Sequence, residues 1–275
     1  MTYSDFSSLK FIFDEGVAWV TIDHPPINLF DIDLMKQVSQ AGRLLEEDDR
    51  VRVIVFQSAN PEFFIAHADV EMIRRISDFE PSSPSGFQRV VERYRTMEKI
   101  SIGKIEGRAR GGGSEFLLSL DMRFGAIGKM LLSQPEVGLG ILPGGSGTVR
   151  LPRLMGRSRA LEVTLGCEDF DAELAERYGW INRALPADEI NFFVDQLARR
   201  IANFPRDALI RAKRSVVANE GEVTSSLVFE NQLFHKTLQD EEAKIRMGRF
   251  LKRGGQTVVY EKTLAARLED LGEED

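Results

Sequence analysis

Apolar residues along the chain follow two rhythms. Lys10-Phe11-Ile12-Phe13-Asp14 and Val17-Ala18-Trp19-Val20-Thr21-Ile22 are short and rich in aromatic and β-branched residues. With Glu15-Gly16 between them, they predict two strands joined by a turn. His24-Pro25-Pro26 ends the second strand. Then Leu34, Met35, Val38, Ala41 and Leu45 recur at helical spacing, with Asp31 or Asp33 placed to cap the helix. Val53-Ile54-Val55-Phe56 is a continuous apolar run, the pattern of a strand covered on both faces. Residues 63–70 form a loop entering a short helix, and 79–86 have the composition of a mobile loop. Phe87, Val90, Val91, Tyr94 and Met97 mark another helix, and a strand over 101–105 leads to Gly111-Gly112-Gly113 and a helix through 116–120. Alternating strands and helices predict an α/β architecture.

Past residue 150 the rhythm becomes helical, over 157–165, 171–178, 187–203, 206–219 and 224–252. The expected organisation is an α/β core over 1–185, a helical region over 186–258 and an acidic tail over 259–275. The last seven residues contain five acids and no base, which predicts a solvated, frayed end. Residues 131–145 combine glycines and two prolines with apolar side chains, so they predict an irregular segment that is not freely exposed.

Composition narrows the function classes. The 36 basic and 43 acidic residues give a formal charge of −7, which argues against a general nucleic-acid binder. Cys167 is the only cysteine, so neither an intrachain disulfide nor a thiolate metal cluster can form. The first nine residues lack a basic segment followed by an apolar one, and no apolar run approaches membrane-spanning length. These features predict a soluble protein of a reducing compartment, most simply the cytosol, with no membrane partner. Metal-ligand spacing is missing, so no metal is expected. His24, in a Pro-flanked turn, and His235, in a predicted helix, are assigned no chemistry.

Candidate chemistry centres on the triple glycine. Glycine lets backbone approach a ligand closely and adopt positive φ. The first N–H groups of a helix have no partner inside it and carry the positive end of its dipole. A backbone N–H here can meet negative charge developing on a substrate oxygen, with the Glu115 carboxylate beside it.

Several ordered segments together resemble the enoyl-CoA hydratase/isomerase (crotonase) family. They are residues 17–22 with Pro25 to Asn28, Ala66-His67-Ala68-Asp69, Gly107 to Glu115, Gln134 to Gly140 with Pro143-Gly144, and Arg150-Leu151-Pro152-Arg153. The resemblance implies repeated ββα units forming two roughly perpendicular sheets, with a helical C-terminal region used for trimerisation. It implies an acyl-CoA thioester substrate, no separate cofactor, and a homotrimer or homohexamer. By motif position the oxyanion donors are the N–H groups of Ala68 and Gly112, and the catalytic acids are Glu115 and Glu136. Ala66, His67, Asp69, Gly111, Gly144 and Arg110 are the further substrate-binding candidates.

Adding water to a double bond needs a base for the water proton and an acid for the carbon next to the thioester, roles that two carboxylates can divide. The reading that follows is a 2-enoyl-CoA hydratase. An isomerase or thioester hydrolase of the same fold and a non-catalytic acyl-CoA-binding protein are the alternatives. Bland alternatives also exist for the acids: Glu115 as a first-turn acid favoured by the helix dipole, and Glu136 as a solvated loop acid. His67 stands where glycine is usual in the family, either packing within its loop or reaching the acyl group. Arg108 and Arg110 are either paired with nearby acids or another subunit, or contact CoA phosphates or an acidic acyl group.

Overall fold

The computed structural model describes residues 2–273. Strands β1 (Leu9–Asp14) and β2 (Val17–Ile22) form the first hairpin, in register from Leu9↔Ile22 to Asp14↔Val17. Glu15 and Gly16 turn it with φ of 45° and 82°, the left-handed conformation that short hairpin loops need. Helix α1 (Ile32–Glu47) follows, and of its two candidate caps Asp31 is the one used, accepting the N–H groups of Asp33 and Leu34. The same carboxylate lies 2.7 Å from His24 Nε2, while His24 Nδ1 is 2.8 Å from Ser8 Oγ. His24 therefore fastens the start of β1 to the cap of α1.

Three ββα turns come next. Strand β3 (Val53–Ser58) leads through β4 (Phe63–Ile65) to α2 (Val70–Arg74). After α3 (Gly86–Thr96), β5 (Ile100–Ile105) leads through β6 (Arg108–Arg110) to α4 (Gly112–Leu118). Then β7 (Met122–Ala126) leads through β8 (Leu131–Ser133) to a 3-10 turn at Glu136–Leu139. Helices α5 (Gly147–Met155) and α6 (Arg157–Gly166), strand β9 (Phe170–Asp171), helix α7 (Ala172–Tyr178) and strand β10 (Arg183–Leu185) complete the α/β part. The first strand of each turn enters a six-stranded sheet ordered β1-β2-β3-β5-β7-β10, and the second enters a four-stranded sheet ordered β4-β6-β8-β9.

The continuous apolar run in β3 is covered on both faces. Ile54 and Phe56 join the main core with Leu34, Val38 and Tyr94, whereas Val53 and Val55 pack with Val194 and Ala198. Those last two belong to α8 (Ile190–Ala202), so the helical region closes the outer face of the large sheet. In the main core the rings of Phe56, Tyr94 and Phe116 meet edge to face at 5.0–5.5 Å, a geometry aromatic pairs favour.

Helices α9 (Arg206–Ala218), α10 (Thr224–Gln239), α11 (Glu241–Lys252) and α12 (Val258–Glu261) follow. Three expectations are corrected here. The single helix over 224–252 is two, because Asp240 takes an extended conformation with ψ of 131°. The loop over 79–86 is fastened to α10, with the carbonyls of Pro81 and Ser83 accepting from Gln232 and Asn231. The acidic tail is not a frayed end as far as residue 273: Leu264, Leu268 and Leu271 are buried beside Phe250 and Met247, while Glu269, Asp270 and Glu273 stay exposed. Residues 274 and 275 of that tail lie outside the described residues. Among the described residues no helix is long and apolar enough to cross a membrane.

Candidate active site

The three ββα turns deliver their ends side by side. Strands β4, β6 and β8 run parallel, with Ile65 opposite Ala109, Ala109 opposite Leu132 and Arg110 opposite Ser133. The residues that follow each strand are therefore neighbours. Arg110 N–H donates to the Ala66 carbonyl at 3.1 Å, and Gly111 N–H to the Ser133 carbonyl at 3.0 Å.

Ala68 and Gly112 come together at this point. A Cβ on Gly112 would lie 3.0 Å from Ala68 Cβ and 3.3 Å from Ala68 N. The neighbours of Ala68 are tied by Phe30, whose N–H donates to His67 and whose carbonyl accepts from Asp69. Gly112 opens α4, where a backbone N–H has no partner within the helix. Among the bonds of the described residues, neither the Ala68 nor the Gly112 N–H has an acceptor.

Each glycine of the triplet has its own reason. Gly111 has φ of 47°, and a Cβ there would sit 2.5 Å from Glu136 Oε1. Gly112 makes room for Ala68, and a side chain on Gly113 would collide with the Ile65 carbonyl. The third glycine thus lets α4 pack directly against β4.

Glu115 and Glu136 are both buried. Glu115 Oε1 accepts the N–H groups of Gly145 and Gly147 at 2.7 and 2.8 Å. Burial and then the charge of Glu230 push the Glu115 carboxyl up to about 8, against the pull of those two N–H donors. Glu136 Oε2 has no hydrogen-bond partner. Burial, followed by the Glu115 charge, raises its pKa well above the usual carboxylate range. Glu136 is therefore harder to ionise once Glu115 carries its charge. The solvated-loop reading of Glu136 does not hold. Beside the pair, Ser114 Oγ, Ser133 Oγ and both amide atoms of Gln134 are buried without a partner. Buried polar groups of that kind call for a ligand or water.

A cavity of about 30 Å³ is lined by Ala68, Gly112 and Glu136 together with the apolar side chains of Val70, Ile73, Ile141, Phe250 and Leu264. His67 also lines it. Its Nδ1 is 2.8 Å from the Ala68 carbonyl and its Nε2 is 3.2 Å from Glu261 Oε1. The ring is thus held by its own loop and by α12.

Other candidates are occupied elsewhere. Arg110 is fully buried, donating to both oxygens of Asp169 at 2.7 and 2.6 Å and to the Glu261 carbonyl at 2.7 Å. It is spent on this ion pair, not on substrate, because a buried guanidinium must have partners. Arg108 lies with its guanidinium 5.8 Å from the Phe63 ring centre. Asp69 caps α2 by accepting from Glu71 N–H, and Ala66 N–H donates to the Ile27 carbonyl. Gly144 is packed so closely that a Cβ would lie 2.6 Å from the Phe234 ring.

Glu230, in α10, was not singled out from the sequence, yet it stands among the acids of this site. A signal existed: Leu227 and Phe234, three and four residues away, mark the buried face that Glu230 shares.

The profile of the enoyl-CoA hydratase/isomerase family matches residues 13–257. The short-chain-enoyl-CoA hydratase of Clostridium acetobutylicum is 29% identical over 242 residues, covering 86% of this chain and 92% of its own length. The crotonyl-CoA hydratase of Syntrophomonas wolfei is 29% identical over 245 residues, covering 87% and 93%. Among solved structures, a Streptomyces avermitilis protein provisionally described as an enoyl-CoA hydratase superposes with a TM-score of 0.91 at 39% identity. That match covers 98% of this chain and all of that one, 100%. With the family profile spanning most of its length, the chain belongs to the enoyl-CoA hydratase/isomerase family.

Proposed function

We propose that the protein adds water across the double bond of a 2-enoyl-CoA thioester. The observation that carries this reading is the pairing of two unpartnered N–H groups, on Ala68 and Gly112, with two buried carboxyls, on Glu115 and Glu136. The thioester oxygen accepts both N–H groups, which stabilise the enolate by about 3 kcal/mol of barrier each. A water held by the carboxyls attacks the β carbon. Glu115, whose negative form is favoured by the Gly145 and Gly147 N–H donors, takes the water proton. Glu136, with no donor on Oε2, keeps its proton until the α carbon needs it. One carboxyl gains a proton and the other loses one, so the site's net charge is unchanged.

The presence of both carboxyls favours hydration over isomerisation, for which one acid–base group suffices. Following the enoyl absorbance with four-carbon and long-chain 2-enoyl-CoA substrates tests this reading. Turnover of at least one of these substrates is expected. Tight CoA binding without turnover of any 2-enoyl-CoA would replace the enzyme with a binding protein.

A trimer or hexamer completes the reading. Of the C-terminal apolar residues, Leu227 and Phe234 are buried within the chain, whereas Phe192 and Phe229 remain 71% and 60% exposed. A groove of about 450 Å³ between α9 and residues 118–123 adds Phe204 and Val216 to the uncovered surface. Exposed apolar surface on this scale favours subunit contact. Light scattering at micromolar concentration should give a multiple of 31.0 kDa. A clean monomer would remove this part of the proposal.

A further inference from the structure

Four consecutive amides at the start of α5 are shared alternately between two carboxylates. Gly145 and Gly147 N–H donate to Glu115 Oε1, at 2.7 and 2.8 Å. Ser146 N–H donates to Glu230 Oε1 at 2.7 Å, and Thr148 N–H to Glu230 Oε2 at 2.9 Å. The Thr148 hydroxyl donates to Glu230 Oε2 as well, and Gln88 Nε2 donates to Glu230 Oε1 at 3.0 Å. Successive amides of this loop thus face opposite ways, one pair toward each acid. Ser146 sits between them with φ of 108°, a conformation rare for a residue with a side chain. Such a backbone persists only where its surroundings over-determine it.

From this alternation we infer that Glu230 is a positioning residue for the reaction: by gripping Ser146 and Thr148 it aims the Gly145 and Gly147 N–H groups at Glu115. The inference rests on the hydratase reading above. The bonds also explain why a carboxylate occupies a position that is 2% exposed on α10. Its four donors replace water, and the N-terminus of α5 favours its charge. Gln88 also donates to the Leu227 carbonyl at 3.1 Å, so α3 holds α10 at the same place. The C-terminal helical region thereby reaches the chemistry through one side chain.

Glu230 also acts on Glu115 through its charge. The groups facing Glu115 are Glu230 from α10, Glu136 from the 3-10 turn and Arg150 from α5. Arg150 is itself paired with Glu92 of α3 at 2.8 Å. After burial, the Glu230 charge holds the Glu115 proton on, whereas the Gly145 and Gly147 N–H groups and Arg150 draw it off. Removing the Glu230 charge therefore makes Glu115 easier to ionise, and a base that ionises more easily works at lower pH.

Two variants separate position from charge. Glu230→Gln should move the rising limb of the kcat profile to lower pH by about one unit, the scale of a close like charge. It should lower kcat at least about tenfold, as misaimed groups do, and leave KM for the CoA ester unchanged. Glu230→Asp keeps the charge but shortens the reach, so it should lower kcat with the limb in place. An unmoved limb in Glu230→Gln, or wild-type kcat in Glu230→Asp, overturns the inference. If Glu230→Gln does not fold, Glu230→Asp decides it alone. Carboxyl carbon-13 resonances, titrated without substrate, supply the separate readout. Should the wild-type protein hydrate no 2-enoyl-CoA while the Glu115 titration still moves in Glu230→Gln, the hydratase reading has failed and the coupling has not.

Discussion

The Nε2 atom of His67 lies 3.2 Å from Oε1 of Glu261, joining the loop that presents Ala68 to the short helix α12. Glu261 also accepts the Gln256 N–H at 2.8 Å, and its carbonyl takes Arg110, which holds Asp169. A chain of buried charges thus runs from β6 through α12 to the Ala68 loop. It accounts for His67, which stands where the family usually has glycine, and for Arg110 as parts of one network.

That network gives stability a definite pH dependence. Burial alone would lower the His67 pKa, but the Glu261 charge and hydrogen bond raise it above the usual imidazole value. A raised pKa contributes stability that is fully present below the unfolded value and lost as pH rises through the folded one. Burial would raise the Glu261 pKa, yet His67, the Gln256 N–H and Arg110 hold it below the usual range. Its contribution is present above the unfolded value and lost as pH falls through the folded one. The difference in unfolding free energy between wild type and His67→Gln should therefore shrink as pH rises above about 6.5. Denaturant melts across pH 5.5–9 would reject this if the difference were constant. Glu261→Gln should cost about 3 kcal/mol at neutral pH, the scale of breaking a buried pair.

Glu115→Gln and Glu136→Gln should each lower kcat by at least about 100-fold, the scale of a lost acid–base group. CoA-ester affinity should change little, since neither carboxyl is expected to touch the nucleotide. Near-normal hydration by either variant removes that residue from the mechanism. Loss in Glu136→Gln alone, read in an isomerase assay, would point to isomerisation.

The kcat profile should rise as pH approaches about 8, the value to which burial and Glu230 push Glu115. The sign follows from the role: a base works only when ionised, so activity grows as pH climbs through its pKa. Activity already flat from pH 6 upward would contradict Glu115 as the base.

Gly111→Ala should strike activity harder than stability. The new Cβ would sit 2.5 Å from Glu136 Oε1 at a backbone φ of 47°. The carboxyl would be displaced, costing at least about tenfold in kcat. The strained backbone itself costs about 1–3 kcal/mol. Wild-type turnover in a folded Gly111→Ala variant would show that Glu136 does not need its present position.

Leu271→Ala tests the buried tail. Leu271 is fully buried with Leu264, Leu268 and Phe250, so its truncation should cost about 2–5 kcal/mol. A change within 0.5 kcal/mol, typical of surface sites, would mean that this segment is solvated after all.

Local patterns in the sequence were enough for the strands of the first hairpin, helix α1, the doubly covered β3 and the helical turn of the chain beyond residue 150. Each depends on periodicity within a few residues, which neighbours in sequence determine. The resemblance to the family pointed to Glu115, Glu136, Ala68 and Gly112 as site candidates. The rest required distant segments to meet. Only the pairing of β6 with β4 on one side and β8 on the other sets Ala68 beside Gly112 and Glu136, because parallel registers are made between strands far apart in sequence. The tail shows the same limit. Its acids predicted solvent, but Leu268 and Leu271 found an apolar surface supplied by α11, and burial of a few large side chains outweighs surface charge that can still face water. Arg110 was open between an ion pair and a substrate contact, and Glu230 was not singled out, until the fold placed Asp169 against one and the amides of Ser146 and Thr148 against the other. A buried charge is tolerable only where partners converge on it, and convergence from separate elements is a property of tertiary structure.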